Sequence, residues 1–122
     1  MTERDIEIER LLPLPAAVFQ ILIALGEDEK HGYAVMQDVS ERTEGRVRMS
    51  PGTLYGSIRK MLDEGLIEEI FQRGARGAPK DDERRRYYRV TRFGRAVAAA
   101  EAARLSALLH HARLSGLVPR KG

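Results

Sequence analysis

Residues 50–60 combine hydroxyl, guanidinium and ammonium groups with two glycines, a set of side chains suited to contact with a polyanion. A guanidinium favours bidentate contact with guanine, whereas an ammonium acts as a point charge. At helical spacing, one face of this segment carries Gly52, Thr53, Gly56, Arg59 and Lys60. A glycine inside a helix costs about 1 kcal/mol relative to alanine. Close approach to another surface, such as a DNA major groove, would offset that cost at Gly56.

The same segment carries the signals of a single amphipathic helix. Ser50 is a suitable N-cap, Pro51 suits the first helical position, and Gly65 predicts where the helix ends. Four apolar residues recur at helical spacing on the side opposite the polar face, namely Leu54, Ile58, Met61 and Leu62. The helix is therefore predicted to bury one face and to present the other, which begins at Ser50, to a partner.

Positive charge is concentrated downstream of this helix. Residues 72–95 hold nine basic and three acidic side chains, whereas residues 1–45 hold four basic and ten acidic ones. A basic segment beside a groove-sized helix is typical of proteins that bind a polyanion. The triplet Arg84, Arg85 and Arg86 is therefore the candidate contact with a nucleic-acid backbone. The alternative is that these arginines only solvate a loop.

Residue types that could support catalysis or metal binding form no convincing constellation. His110 and His111 are adjacent, so they point to different sides of a helix and are poorly placed to share a metal ion. His31 lies near a helix start, where we expect a structural role. The acidic run at 81–83 could suggest a divalent-cation site, but charge balance in a basic loop is the preferred interpretation. The chain has no cysteine, which excludes a thiolate nucleophile and a cysteine metal site. Because no constellation supports catalysis or metal binding, we expect no enzyme, no metal and no cofactor.

The N-terminus and the apolar runs indicate where the protein acts. The first residues are acidic and contain no apolar signal region. The longest apolar run, residues 14–25, is shorter than the roughly 20 residues that cross a bilayer. These features predict a cytoplasmic protein without a membrane partner.

Periodicity and turn signals predict the elements that must position the polar helix face. They are an arm or short helix at 1–13, helices at 16–25, 32–43 and 51–64, a connector with a small strand at 46–49, strands at 66–71 and 85–90, a loop at 72–84, and a last helix at 92–114. Met36 and Val39 are predicted to face the core from the second helix, and Tyr88 and Val90 from the last strand. Thr91 is the predicted N-cap of the last helix.

This order predicts a mainly α fold with a small β-hairpin, a winged helix-turn-helix at 14–90 followed by a C-terminal dimerisation helix and tail at 91–122. The second half of that helix carries an apolar stripe of Leu105, Leu108, Leu109 and Ala112. A single helix leaving a small domain has little of its own chain to pack on, so the stripe is predicted to bind a second copy. The alternative is that the helix folds back on its own core.

Three sequence blocks resemble those of PadR-like transcriptional regulators. Pro51-Gly-Thr-Leu-Tyr55 followed by Glu64-Gly-Leu-Ile67 resembles the recognition helix and first wing strand of that family. His31-Gly-Tyr33 precedes this block and Arg86-Tyr-Tyr-Arg-Val-Thr-Arg-Phe-Gly94 follows it, in the family's order. One departure is Leu14, which stands where a capping hydroxyl is common. The first main helix is therefore expected to lack a side-chain cap.

The resemblance implies a sequence-specific DNA-binding transcriptional regulator, a repressor that acts as a homodimer on a palindromic operator. It also implies that Tyr33 contacts the phosphate backbone of double-stranded DNA and that Tyr55 contacts DNA at the flank of the recognition helix. The alternative for both tyrosines is half-buried packing. For the whole chain the alternative is a winged-helix protein-interaction module that does not read DNA.

A small-molecule effector of unidentified chemistry is a further partner that the resemblance implies. Some short members of the family hold planar drugs between aromatic rings at the dimer interface. This chain has no tryptophan, and Phe93 is the only aromatic residue of its last helix. An aromatic-sandwich pocket is therefore not expected.

Overall fold

The computed structural model describes residues 1–70 and 86–119, which form five helices and three short strands. In chain order they are α1 (Glu3–Leu11), α2 (Ala16–Leu25), β1 (Lys30–His31), α3 (Gly32–Arg42), α4 (Pro51–Asp63), β2 (Ile67–Ile70), β3 (Tyr87–Val90) and α5 (Arg92–Leu114). The predicted mainly α winged-helix architecture is confirmed, with strands slightly shorter than predicted. The predicted loop at 72–84 lies outside the described residues.

The strands form one antiparallel sheet in the order β1-β3-β2. β2 and β3 make the predicted hairpin, with Ile67 opposite Val90. The third strand, β1, was not predicted; it pairs with β3 so that Lys30 stands opposite Tyr88. The small strand predicted at 46–49 is wrong, because that connector has no strand structure in the described part of the chain.

The core forms where α2, α3 and α4 meet the sheet. Leu54, Ile58 and Met61 of the predicted α4 stripe are buried, and Leu62 packs against them at its edge. Tyr88 and Val90 are buried as predicted. On α3 the prediction was incomplete. Val39 is buried and Met36 is only partly buried, whereas Val35, which was not predicted to face the core, is fully buried. The buried apolar residues of the core are Leu14, Val18, Ile21, Leu22, Ala24, Leu25, Val35, Val39, Leu54, Ile58, Met61, Leu66, Ile67, Tyr88, Val90 and Val97.

Side-chain caps mark where four of the five helices begin, and the first is Thr2, whose hydroxyl accepts the Asp5 N–H of α1 at 3.1 Å. The Ser50 and Thr91 hydroxyls accept hydrogen bonds from the third backbone N–H of α4 and of α5, at 3.1 and 2.9 Å, as predicted. His31 caps α3 through its Nδ1, which accepts from the Ala34 N–H at 3.2 Å. α2 begins after Pro15 without a side-chain cap, as the presence of Leu14 predicted.

The first half of α5 is joined to the winged domain at its beginning. The Thr91 hydroxyl donates to the Gly65 carbonyl at 2.6 Å and also lies 3.1 Å from the Leu66 carbonyl. Gly94 crosses the chain so closely that a Cβ there would stand 1.9 Å from the Leu66 carbonyl oxygen. Only glycine fits this crossing, since the clash is with backbone.

A buried carboxylate joins α5 to the start of α2. Glu101 is 2% exposed, and one of its oxygens accepts the Leu14 N–H at 3.2 Å. The Arg104 guanidinium donates to both carboxylate oxygens, at 2.6 and 3.0 Å. The hydrogen bonds from Arg104 hold the pKa of Glu101 below its ordinary value, against the opposing effect of burial.

The second half of α5 leaves the body of the protein. Leu105, Leu108 and Leu109 are exposed and Ala112 is half-buried, so the apolar stripe does not fold back on the described part of the chain. Whether a second copy covers it stays a prediction. Within the described residues no single helix is long and apolar enough to cross a membrane; α1 and α2 meet that requirement only when taken together, and they are bent by 117°.

Candidate nucleic-acid interface

The polar face of α4 is exposed along its length. Gly52, Thr53, Gly56, Arg59 and Lys60 all lie on the surface, together with the N-cap Ser50. The helix has 13 residues, which corresponds to about 20 Å. A Cβ at Gly56 would meet no atom of the described chain within 4 Å, so packing gives no reason for a glycine there. The missing side chain leaves room for an external surface.

The Tyr55 side chain projects from the flank of α4 and lies against Gly32, the first residue of α3. A Cβ at Gly32 would stand 2.8 Å from the Tyr55 hydroxyl oxygen and 3.0 Å from two ring carbons. The ring therefore needs the glycine of the His-Gly-Tyr block. Tyr55 is nevertheless 50% exposed, and Tyr33, one residue beyond Gly32, is 66% exposed. The exposure of Tyr33 does not fit the alternative of half-buried packing. Tyr55 is packed against Gly32 and is at the same time half exposed.

The two tyrosines line one cleft of about 560 Å³ at the N-terminus of α3. Gly32, Gln37 and Arg86 line the same cleft. The first N–H groups of a helix have no partner within the helix, and they carry the positive end of its dipole. His31 caps one of these groups, and its ring meets Tyr87 edge-on at 5.4 Å. Hydroxyl, guanidinium and helix N-terminus together suit a phosphate group.

The wing brings charges of both signs to the edge of this cleft. Arg86 is exposed and pairs with Glu69 across the hairpin, with 3.2 Å between Nε and Oε1, and Arg89 pairs with Glu68. Burial raises the pKa of Tyr88, and the nearby Glu69 carboxylate raises it further. Arg84 and Arg85 lie outside the described residues, so their predicted role stays a prediction.

Three features of this interface were missed by the sequence analysis. Gly32 supports the Tyr55 ring, and Glu69 neutralises Arg86. Arg46 and Arg48 are exposed in the connector that leads into α4. The alternation Arg-Val-Arg-Met before Ser50 was visible, but it suggested a strand and not an exposed pair of arginines. Residues that could form a metal site of three or more ligands are not brought together in the described ranges.

Comparison with known proteins identifies a sequence family. The family described as transcriptional regulator PadR-like matches residues 21–100. An uncharacterized protein from Lysinibacillus sphaericus is 30% identical over 76 residues, which are 62% of this chain and 65% of that protein. The chain therefore spans slightly less than two thirds of that relative's length.

Three solved structures share the fold at low sequence identity. A transcriptional regulator from Clostridium thermocellum has a TM-score of 0.66 at 19% identity, over 98% of this chain and 99% of its own. A PadR family regulator from Clostridium difficile has a TM-score of 0.67 at 17% identity, over 82% and 97%. Bacillus subtilis PadR in complex with operator DNA has a TM-score of 0.59 at 19% identity, over 72% of this chain and 47% of its own.

The fold comparison and the family match agree with the three sequence blocks around His31, Pro51 and Arg86. The match extends from α2 into α5 and so includes the whole candidate interface. Because it covers well over half of the sequence, this chain belongs to the PadR-like family of transcriptional regulators.

Proposed function

We propose that this regulator binds a palindromic operator as a homodimer, places α4 in the major groove and represses transcription. The observation that carries the proposal is the face of α4, where two glycines leave space and two cations extend outward. Among the described residues, no carboxylate lies within 4.0 Å of the Arg59 guanidinium or the Lys60 ammonium. Both cations are therefore available to base edges or phosphates.

The cleft at the start of α3 supports the orientation of the complex. Tyr33, Tyr55 and Arg86 surround the positive end of that helix and would bind the backbone beside the groove. Such contacts set the register of the protein on the duplex without reading sequence. The structure of a PadR protein with operator DNA supports this use of the shared fold.

A dimer is needed to present two recognition helices to one face of the duplex. Successive major grooves on that face are about 34 Å apart, a spacing that a single small domain cannot set. The exposed leucines of α5 are the surface that we assign to the second copy. Repression rests on the family resemblance, and the cytoplasm, where the operator is accessible, is the proposed location.

Binding to the promoter of the protein's own operon tests the proposal. Arg59→Ala with Lys60→Ala should weaken operator binding tenfold or more, since a good base contact is worth about 1–3 kcal/mol. Arg4→Ala with Arg10→Ala on α1 removes the same charge from another exposed surface and should leave affinity nearly unchanged. Equal affinity of a folded α4 double variant and of the wild type would exclude this helix from the interface. Wild-type protein that shifts no operator fragment would favour the protein-interaction module.

The sign of regulation needs a separate measurement. Transcription from the same promoter should fall when the protein is added to a purified transcription system, and it should recover with the Arg59→Ala, Lys60→Ala variant. Increased transcription at an occupied operator would replace repression by activation and leave the DNA-binding proposal in place.

A further inference from the structure

The connector between α3 and α4 alternates exposed and packed side chains. Arg46, Arg48 and Ser50 are exposed, whereas Val47 and Met49 are partly buried and pack against the core. The Thr43 hydroxyl fixes the connector by accepting the Val47 N–H at 3.0 Å. The two arginines therefore project to the surface from a segment that is anchored on its other side.

Arg46 and Arg48 are among the surface arginines that have no ion pair in the described residues. Four arginines are paired with carboxylates, namely Arg42, Arg86, Arg89 and Arg104. In residues 1–70 and 86–119, by contrast, no carboxylate lies within 4.0 Å of the guanidinium of Arg46 or Arg48. They share this property with Arg59 and Lys60 of the candidate interface, and also with Arg4, Arg10, Arg92, Arg95 and Arg113 among the described residues. An arginine without a carboxylate partner does not have to give up an ion pair when it binds a phosphate.

Arg48 also shares a groove with residues of the candidate interface. Tyr33, Gln37, Glu41 and Arg48 line a groove of about 410 Å³ beside the start of α4. Tyr33 and Gln37 also line the cleft that contains Arg86. Tyr33 and Gln37 therefore lie between the connector and the wing. The exposed surface continues from Arg86 past Tyr33 to Arg48. The Glu41 carboxylate in the groove is beyond ion-pair distance of Arg48.

We propose that Arg46 and Arg48 form a second phosphate-contact surface, on the α3 side of the recognition helix. The inference rests on the proposed binding of α4 to the major groove. With α4 in the groove, the N-terminus of α4 and the connector before it would lie beside the phosphates of one DNA strand. Arg86 of the wing would lie on the other side of Tyr33 from these two arginines. The two guanidinium groups would then fix the angle at which α4 enters the groove, without reading bases.

The salt dependence of binding tests this assignment. Arg46→Ala with Arg48→Ala should weaken binding to the operator and to an unrelated duplex by the same factor, tenfold or more at moderate salt. The slope of log affinity against log salt should become shallower by about 0.9 for each phosphate that the variant no longer neutralises. Arg46→Lys with Arg48→Lys should restore most of the affinity and of the slope, because an ammonium still neutralises a phosphate.

The Arg4→Ala, Arg10→Ala variant is the control for a change of two charges elsewhere, and it should keep the wild-type slope. Wild-type binding to the operator must be established first, since its failure would overturn the proposed function itself. If the wild type binds and the connector double variant keeps both affinity and slope, the phosphate-contact assignment is wrong. Weaker binding to the operator alone, without recovery by lysine, would also overturn it and indicate base readout.

Discussion

The Tyr55 ring lies on Gly32, with its hydroxyl oxygen 2.8 Å from the position that a Cβ would occupy. The first residue of α3 and the first turns of α4 therefore make one surface, and the glycine is the space into which the tyrosine fits. This contact brings the His-Gly-Tyr block and the Leu-Tyr block together in the folded chain. It also means that the position of the Tyr55 ring depends on one small residue.

Gly32→Ala should displace the Tyr55 ring and weaken operator binding. In a Tyr55→Ala background the same substitution should have little further effect, because the ring that it displaces is already absent. Affinities of the wild type, the two single variants and the double variant form a double-mutant cycle that measures this coupling. Additive effects on affinity would show that Gly32 and Tyr55 act on DNA binding independently.

Gly56→Ala should stabilise the folded protein and weaken DNA binding at the same time. An added methyl group meets only open space, so the helix gains up to about 1 kcal/mol from the better helix former. Bound DNA would collide with that methyl group. Urea unfolding and operator titration of one preparation measure the two effects. Gly65→Ala provides the contrast, because its φ of +75° makes that variant less stable. Unchanged operator affinity of Gly56→Ala would mean that DNA does not approach this position.

Glu69→Gln should strengthen DNA binding. It releases Arg86 from its ion pair and removes a negative charge from the edge of the tyrosine cleft. Exposed pairs of this kind are worth roughly 0.2–1 kcal/mol, so the gain should reach about fivefold at most. Glu68→Gln makes the same charge change beside Arg89 and should have a smaller effect. An equal gain from both variants would reflect net charge alone. The pKa of Tyr88 should fall only with Glu69→Gln, which a spectroscopic titration can follow.

Glu101 should make stability depend on pH in the acid range. Hydrogen bonds from Arg104 lower its pKa in the folded state, so its contribution is fully present above the unfolded pKa, about 4.3. That contribution is lost as the pH falls through the lower folded pKa. Between pH 6 and pH 3, roughly, wild type should therefore lose more stability than Glu101→Gln. Glu101→Ala should be less stable at neutral pH, because a buried N–H without an acceptor costs about 1–3 kcal/mol. Denaturant unfolding across this pH range gives both results, and parallel pH profiles of wild type and Glu101→Gln would contradict the assignment.

Leu105→Glu with Leu109→Glu should separate the proposed dimer. The substitution would bury charges without partners at the shared surface, at a cost of several kcal/mol for each. The variant should sediment as a monomer and lose tight operator binding, since only one half-site then contributes. Ser106→Glu with His110→Glu places the same charges on another face of the same turns and should stay dimeric. A wild-type monomer at micromolar concentration, or a dimeric leucine variant, would show that α5 does not assemble the protein.

Local signals were sufficient to predict α4 and its neighbours. The cap, the starting proline, the apolar spacing and the closing glycine all lie within 16 residues, so residues 50–65 reveal the helix without knowledge of the rest of the chain. The same reasoning gave the Thr91 cap and the burial of Tyr88 and Val90. Exposure of Arg59 and Lys60 follows directly from helix periodicity.

Long-range pairing explains what sequence reasoning missed. β1 has two residues and exists only because β3, more than 50 residues later, supplies its hydrogen-bond partners. The Glu101 carboxylate finds the Leu14 N–H across 87 positions, and nothing local marks either as a partner. In the connector, the alternate burial of Val47 and Met49 resembles the pattern of a strand, but no strand among residues 1–70 and 86–119 pairs with it.

The close crossing of Gly94 over Leu66 makes α5 comparable to a lever whose short arm, the first half of the helix, is fixed to the winged domain. Thr91, Gly94 and Glu101 attach that arm to the start of the wing and of α2, whereas the leucine-bearing arm extends away. Because these contacts fix the first half of α5, we expect a displacement of the second half to turn the winged domain with it. In the proposed dimer, a molecule bound between the two arms would thus act on the distance between the two copies of α4, and a change of a few ångströms would put them out of phase with the duplex.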